Sequence, residues 1–496
     1  VSRIEKKANH MVEQSEQAMR ESLMSKEESF DFLVVGCGVA GLSAAVSYGR
    51  ARVAAGDKPR IALLEVAPRD QRGGASAWTM AGLRATRAGG LEPLWIGMIE
   101  EASKGLADLE YCRRYVAEVP ETFAFLDREK IELHEHPAAL DWTEICKGTN
   151  LPNGGGRAIV DRLSAALEEE LGGTIFYQTE LVRLLQDSAG RVVGVSARGP
   201  DGCLVDFHAP RTVLACGGFE GNPEMLTQYM GKVAVDLKLI APGVAFNRGA
   251  GIRAAMEIGA GTAGQFDWMH AELIDSRSTR PDAVIYPHNY GILVNEAGKR
   301  FYDEGIGTHL DNQEVLAREI WLNQNQTAFF IADAHIRGNP VIEARFDTDH
   351  PAIEADTIAD LADQLGLDPD QLEQTIAEYN AATSDDVEFN VNRIDGKSTQ
   401  GLEPPKSNWA YPLDRAPYFA YPVTAAIVFT CGGLKVNPDS QVVTANGIPI
   451  PGLYAAGEIT GLYYHQYQAG TSVLRGLTFG RVAGQHAAKM QDAVVA

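Results

Sequence analysis

Residues at opposite ends of this 496-residue chain have types and spacing that could do chemistry. Near the start, Gly36-Cys37-Gly38-Val39-Ala40-Gly41 fits the pattern GxGxxG. In that pattern Gly36 permits a tight turn, Gly38 lets a pyrophosphate approach the backbone, and Gly41 allows the following helix to pack closely on the strand before it. The positive end of the helix then faces the phosphates. Glu65, closing the next apolar run, is placed to accept hydrogen bonds from a ribose diol. A glycine turn alone could bind nothing; the turn together with Glu65 predicts dinucleotide binding. Near the other end, His465-Gln466-Tyr467-Gln468-Ala469-Gly470 crowds polar and aromatic side chains in front of an apolar helix that starts near Thr471-Ser472-Val473. A helix start of this kind stabilises negative charge developing beside it, and Gly470 lets backbone come close.

The elements that must position these residues are legible. FDFLVVG, 30–36, reads as a buried strand, GCGVAGLSAAVSYGRA as a helix and RIALLEVA, 60–67, as a second strand, which together make a βαβ unit. A helix over GRAIVDRLSAALEEELGG and a string of strands with Gly and Asp turns follow. The stretch 356–384 reads as two amphipathic helices broken at Gly-Leu-Asp-Pro, a helical lobe foreign to a nucleotide sheet. Strand character returns in PVTAAIVFTCGGLKVN and GIPIPGLYAAGEITG. Similar N- and C-terminal styles around a different middle predict one discontinuous domain with an inserted lobe.

Composition sets bounds. A 45% hydrophobic, 22% charged chain of this length is globular and long enough for two or three cores. A formal charge of −22, from 66 acidic and 44 basic residues, disfavours nucleic acid and anionic membranes but not an anionic small substrate. Cys37, Cys112, Cys146, Cys203, Cys216 and Cys431 are scattered, without CxxC or metal-like spacing, which predicts a reducing, cytoplasmic setting and no metal site. No apolar run approaches the roughly 18 residues that would cross a bilayer, so no membrane insertion is expected. Residues 1–26 are charged, lack the apolar core of a signal peptide and read as an exposed arm.

Three further stretches carry a family resemblance: Arg72-Gly73-Gly74-Ala75-Ser76-Ala77-Trp78-Thr79-Met80-Ala81-Gly82-Leu83, Leu214-Ala215-Cys216-Gly217-Gly218 and Gly452-Leu453-Tyr454-Ala455-Ala456-Gly457-Glu458. With the glycine turn they resemble, in order, the motifs of the fumarate reductase and succinate dehydrogenase flavoprotein family. The resemblance implies FAD and an α/β fold, with a discontinuous Rossmann-type FAD-binding domain (27–270 and 429–496) and an inserted α+β capping domain (271–428). It implies that Gly36, Gly38, Ala40, Gly41 and Glu65 hold the adenosine diphosphate half. Gly74, Ala75, Ser76, Met80, Ala81 and Gly82 would lie along the flavin, with Val182, Ala215 and Gly217 beside the cofactor. Glu458 would bind the ribityl chain, and Ser472 and Val473 would start the helix aimed at the pyrimidine edge. Relatives with covalent flavin carry a histidine where this chain has Ala75, which implies noncovalent FAD.

The family's substrate-binding cations are replaced. Gly291 to Glu304 resembles ILVNxxGxRFxNE, but the proton-delivering arginine expected downstream falls at about Thr308, with His309 beside it. The histidine of HTMGG becomes Phe429, and the arginine of ANRLGGNA becomes Tyr467. Loss of two bidentate carboxylate forks argues against fumarate and succinate. Arg300-Phe301-Tyr302-Asp303-Glu304-Gly305, Phe429 to Val436 and Tyr464 to Thr471, with the pair His270-Ala271, resemble tricarballylate dehydrogenase-like flavoproteins more closely. Tyr467 followed by Gly470 is also similar to the 3-ketosteroid dehydrogenases.

These likenesses imply His270, His309 and Tyr467 as catalytic candidates, and Glu272, Phe429, Thr430, Tyr464, His465 and Gly470 as substrate contacts. Read alone, His270 is a core histidine satisfying a hydrogen bond, His309 is equally well structural, and Tyr467 packs on a ring. Arg300 reads as a structural ion-pair partner. The expected function is FAD-dependent desaturation of a C–C bond beside a carbonyl or carboxylate, or its reverse, on an organic acid or cyclic ketone, with an unidentified electron acceptor. A ketone desaturase, an oxidase or hydroxylase, and an FAD-carrying interaction protein without turnover are the alternatives.

Overall fold

A computed structural model describes residues 26–85, 90–92, 94–136, 148–384 and 386–490. The expected arm, 1–26, lies outside them except for the backbone of Lys26, and so does Cys146. Cys37, Cys112, Cys203, Cys216 and Cys431 are free thiols. No helix among the described residues is long and apolar enough to cross a membrane.

Phe32–Val35 carries no polar side chain and is buried throughout, so it needs a packed layer on each face. It sits inside a six-stranded sheet ordered Gln441–Val443, Pro449–Ala455, Thr212–Leu214, Phe32–Val35, Ile61–Leu64, Thr174–Phe176. Neighbours run parallel except at the edge, where Gln441–Val443 is antiparallel to Pro449–Ala455. The expected βαβ unit is present as Phe32–Val35, the helix Val39–Ala54 and Ile61–Leu64. A four-stranded sheet packs alongside, ordered Lys26–Ser29, Leu204–His208, Val192–Arg198, Glu180–Gln186.

The helix Val39–Ala54 lies against the C-terminal helix Ser472–Lys489. Glycines let the two backbones touch: a Cβ on Gly480 would fall 2.2 Å from the Ala40 carbonyl oxygen, and one on Gly484 equally close to that of Ala44. Gly41 serves the packing expected of the third motif glycine, since its Cβ would lie 2.0 Å from the Gly36 oxygen.

A second core is built around Tyr418–Thr430, which pairs with Met269–Asp275, Ala328–Ala332 and Ile353–Ala355. The boundaries expected at 270/271 and 428/429 fall inside two of these strands, which run from one core into the other. The helix His309–Asn323 also bridges them, with Leu316 and Ile320 in the second core and Ala317 and Trp321 in the first. The expected helix pair forms as Ile358–Leu365 and Pro369–Ala382. Gly366 ends the first helix in a left-handed conformation, and the Asp368 carboxylate accepts from the Asp370 and Gln371 amides to start the second.

Arg300 is structural. Its guanidinium lies 2.7 Å from Glu304, whose other oxygen accepts from the Leu293 amide at 2.8 Å. Buried Lys406 sits 3.9 Å from the same carboxylate and donates to the Asn289 and Gly291 carbonyls. Removing Glu304 would leave two buried cations without their counter-charge, which costs about 3–5 kcal/mol. Glu304→Ala is therefore expected to melt several degrees below the parent or to fail to accumulate. A melting curve by circular dichroism that overlays the parent's would contradict this account.

Candidate active site

The cavity that matters opens where the parallel strands end. It is continuous, about 2160 Å³ including its open mouth, and is lined from both cores. Gly36 reaches it with φ +109°, and a Cβ there would lie 2.3 Å from the Ala215 carbonyl oxygen, so only glycine fits. Gly38 starts the helix Val39–Ala54, and the Val39 amide donates to Ser76 Oγ at 3.3 Å. Glu65 follows directly on Ile61–Leu64; its two oxygens accept from the Cys37 amide at 2.9 Å and the Ala67 amide at 2.8 Å. Burial holds its carboxyl above the usual range, against the pull of those amides. Ala40, Gly74, Ala75, Ser76, Met80, Gly82, Ala215 and Gly217 continue the lining.

Glu458 lines the middle. Its Oε1 accepts from the Thr430 amide at 3.0 Å and from Thr430 Oγ1 at 3.2 Å, while Asn247 Nδ2 donates to its Oε2 at 3.3 Å and to Glu220 Oε1 at 3.2 Å. A Cβ on Gly218 would collide with both Glu458 and Thr430, which accounts for the second glycine of the Ala215-Cys216-Gly217-Gly218 stretch. Burial, then the charge on Glu458, raises the Glu220 carboxyl well above the carboxylate range. Ser472, Val473 and Gly476 bring the start of the C-terminal helix to the same wall.

The far half is lined by His270, Glu272, Asp282, Tyr286, Gln313 and Glu314, with Phe429 and Tyr467 between the halves. His270 Nδ1 lies 2.6 Å from Glu314 Oε1, and its Nε2 lies 3.5 Å from Glu272 Oε1. Glu314 Oε2 accepts from the Tyr467 amide at 3.0 Å, so one carboxylate ties the helix His309–Asn323 to the loop before the C-terminal helix. Burial alone would lower the His270 pKa, but the two carboxylates outweigh it and hold the group at about 10. The ring stays an imidazolium at neutral pH. It packs 5.0 Å from the Phe429 ring and 4.8 Å from that of Tyr467.

Several sequence assignments change. The Tyr467 hydroxyl accepts from the Thr471 and Ser472 amides, each at 2.9 Å, and donates to Ser472 Oγ at 3.1 Å, so it caps the helix start. Its proton is engaged there rather than offered to substrate. Tyr464 is turned into a separate small cavity, where its hydroxyl accepts from the Gly264 amide at 2.8 Å. His465 stands edge-on to Trp268 and does not line the main cavity. A tight reversal separates them from Tyr467: His465 has φ +58° and the Gln466 amide donates to the Tyr464 carbonyl at 2.7 Å.

Val182, Thr430 and Ala81 do not line the cavity. Val182 is 41% exposed while Leu181 lines the cavity, and Thr430 points away from it, at Glu458, while Phe429 lines it. Ala81, with φ +58°, is wholly buried between the lining residues Met80 and Gly82. Gly470 and Glu272 line the cavity as expected. His309 opens its helix, but its side chain lies outside the described residues. Sequence reading missed Gln313 and Glu314. Leu310, Gln313, Glu314, Ala317 and Trp321 share one helical face, the single local signal that could have found them.

A cavity floored by glycine, flanked by two helix starts and bearing one carboxylate at the end of the second strand and another midway suits a dinucleotide with a hydroxylated chain. The comparisons agree. The pattern of the family described as FAD binding domain matches residues 31–473, and the chain belongs to that family. FAD is thus the group the residues fit.

Among its relatives, NADH:acrylate oxidoreductase of Vibrio harveyi is 31% identical over 68% of this chain, which spans only 32% of that protein's length. The open conformation of a flavocytochrome c3 fumarate reductase superposes with a TM-score of 0.72 at 24% identity, over 96% of this chain and 81% of its own. A 3-ketosteroid Δ1-dehydrogenase from Sterolibacterium denitrificans does so at 0.71 and 21%, over 93% and 99%.

If Glu458 binds ribityl hydroxyls, Glu458→Ala should weaken FAD binding by roughly ten- to a hundredfold, the scale of a hydrogen bond to a charged group. Titration of the apoprotein with FAD, followed by flavin fluorescence, measures it. An unaltered dissociation constant would remove Glu458 from the cofactor site.

Proposed function

We propose that this protein is an FAD-dependent oxidoreductase acting on a carbon–carbon bond next to a carbonyl or carboxylate, and that at neutral pH it is set to reduce the double bond. In this reading the parallel-sheet core is a discontinuous Rossmann-type FAD-binding domain, and the part around Tyr418–Thr430 is an inserted α+β capping domain. When bound, FAD supplies the hydride. The chain supplies the rest: Glu65 binds ribose, Glu458 the ribityl hydroxyls, and the helix beginning at Ser472 stabilises negative charge at its start.

The observation that carries the direction is the His270 imidazolium, gripped by Glu314 at 2.6 Å and facing the cavity beside Phe429 and Tyr467. The Nδ1 proton is bound by Glu314, so the Nε2 proton, 3.5 Å from Glu272 Oε1, is the one to be given to the carbon next to the one that receives hydride. Desaturation would first require the imidazolium to lose that proton, against two carboxylates. Glu314 acts as a positioning residue, and the cap excludes water from the reacting atoms. The family's arginine is not needed for proton delivery in this arrangement. His309, beside the position where that arginine is expected, is the rival donor.

Two outcomes test the reading. Anaerobic reoxidation of the reduced enzyme by conjugated double bonds should be roughly constant in rate across neutral pH and fall as pH rises past about 10, where His270 loses its proton. His270→Gln should slow it by about a hundredfold or more and abolish that fall, while His309→Ala keeps both. The opposite pattern would transfer the role to His309. Separately, with Ala75 in the turn Gly74–Ala77, FAD is expected to be noncovalent and to leave the protein on acid precipitation. Flavin colour retained in the pellet would contradict that.

A further inference from the structure

Each turnover of the proposed reaction takes the Nε2 proton from His270, and some group must return it. The Nδ1 side offers no route, because Glu314 accepts the Nδ1 proton at 2.6 Å and its other oxygen accepts from the Tyr467 amide. On the Nε2 side Glu272 Oε1 lies 3.5 Å away, and the Glu272 carboxylate in turn shares a hydrogen bond with the Asp282 carboxyl. His270, Glu272 and Asp282 all line the cavity. The backbone brings them together. Met269–Asp275 carries His270 and Glu272, and the chain just after Asp282 runs beside that strand: the Asp275 amide donates to the Ala283 carbonyl at 2.9 Å, and the Ile285 amide to the Leu273 carbonyl at 2.8 Å. Asp282 has φ +61°, a left-handed conformation that aspartate tolerates better than most residues. It is also partly exposed, whereas Glu314 is buried.

The charges around this row of groups set the direction in which a proton moves. Near Asp282 stand Glu272, His270, Tyr286 and Asp347, the last paired with Arg280 at 2.5 Å. Burial, then the charges of Glu272 and Asp347, push Asp282 up to about 8, against the opposing pull of His270. Asp282 is therefore a protonated acid at neutral pH. Tyr286 stays a phenol: burial and the same carboxylates raise it well above its ordinary value, although Arg345 pulls the other way. His270, held at about 10, is the stronger base of the two ends. A proton passing from Asp282 to the neutral imidazole thus runs downhill, and solvent at neutral pH refills Asp282.

We propose that Asp282 and Glu272 form a proton relay that returns a proton from solvent to Nε2 of His270 after each turnover. The inference rests on the reading of His270 as the proton donor. The steps balance. The Nε2–H bond of His270 breaks as the C–H bond of the product forms, which leaves a neutral imidazole. Asp282 then gives its proton to the Glu272 carboxylate, Glu272 gives one to Nε2, and the Asp282 carboxylate takes a proton from solvent. A half-turn of the Glu272 carboxyl about its terminal bond, a soft torsion, brings the protonated oxygen to the ring. One solvent proton enters for each double bond reduced, and no electrons pass through the relay.

Two measurements test the relay. In the first, prereduced holoenzyme is mixed anaerobically with a conjugated double bond while reduced methyl viologen refills the flavin. The first turnover uses the proton already on His270, and later turnovers need the relay. In Asp282→Asn, which keeps the shape and the neutral charge, the steady-state rate is expected to fall about a hundredfold further than the first-turnover rate. Glu272→Gln should separate the two phases in the same way, and added formate should restore the later turnovers of Asp282→Ala. In the parent the steady-state rate should decline as pH rises past about 8, where Asp282 stays ionised, while the first turnover holds until about 10. The proposal falls if the two phases of Asp282→Asn and of Glu272→Gln decline equally or not at all. The second measurement needs no turnover. Proton NMR of the oxidised holoenzyme with isotope-labelled histidine should show the Nε2 proton of His270 exchanging with water at least about tenfold more slowly in Asp282→Asn than in the parent. An unchanged exchange rate overturns the relay. Failure of the reduced parent to reduce any conjugated double bond would remove the proposed reaction instead, and the exchange rates would still decide whether Asp282 feeds His270.

Discussion

The close approach of two helices governs this molecule. Val39–Ala54 and Ser472–Lys489 can touch through their backbones only because Gly480 and Gly484 carry no side chain where Ala40 and Ala44 lie. With that contact in place, the start of the glycine-loop helix and the start of the C-terminal helix, more than four hundred residues later in the chain, open into one cavity. The positive ends of two helix dipoles are thereby brought to one cavity. A bulky side chain at either glycine would separate the helices and spoil both ends together.

The second body is tied to the first at the point where chemistry would occur. Met269–Asp275 and Tyr418–Thr430 pair along their length and deliver His270, Glu272 and Phe429 to the cavity from adjacent strands. The helix His309–Asn323 adds Glu314, which holds the His270 ring with one oxygen and the Tyr467 amide with the other. A single carboxylate thus links the helix His309–Asn323, the strand Met269–Asp275 and the loop before the C-terminal helix.

How much of this the sequence shows depends on whether a feature is local. Gly36, Gly38, Gly41 and Glu65 are legible because a tight turn, a helix start and the end of the next strand constrain each residue type in place, and they lie where the pattern puts them. Gly218 is fixed by the side chains it must clear, and those belong to Thr430 and Glu458. The part of the cavity around His270 and Glu314 is less legible because long-range docking makes it. Nothing near Glu314 announces a partnership with His270, 44 residues away. Tyr464 and His465 were misplaced for a local reason: a left-handed residue at His465 reverses the chain, and sequence does not announce it when the residue is not glycine. Of Tyr464, His465 and Tyr467, the last alone lines the cavity, and its hydroxyl is already engaged.

That engagement changes what the opening cluster is for. In the dicarboxylate reductases that this chain resembles, a charged guanidinium is expected at this position; here a neutral phenol stands there and accepts from two amides of the helix start. Next to that hydroxyl-capped helix start, the His270 ring packs on Tyr467 and is itself held between Glu272 and Glu314. Burial first, and then the charge of a neighbouring carboxylate, pushes Asp282 and Glu220 toward their protonated forms. The proton on His270, held between Glu272 and Glu314, offsets part of that charge. The imidazolium and its two carboxylates thus form one electrostatic arrangement, in which a single proton makes two buried anions tolerable side by side.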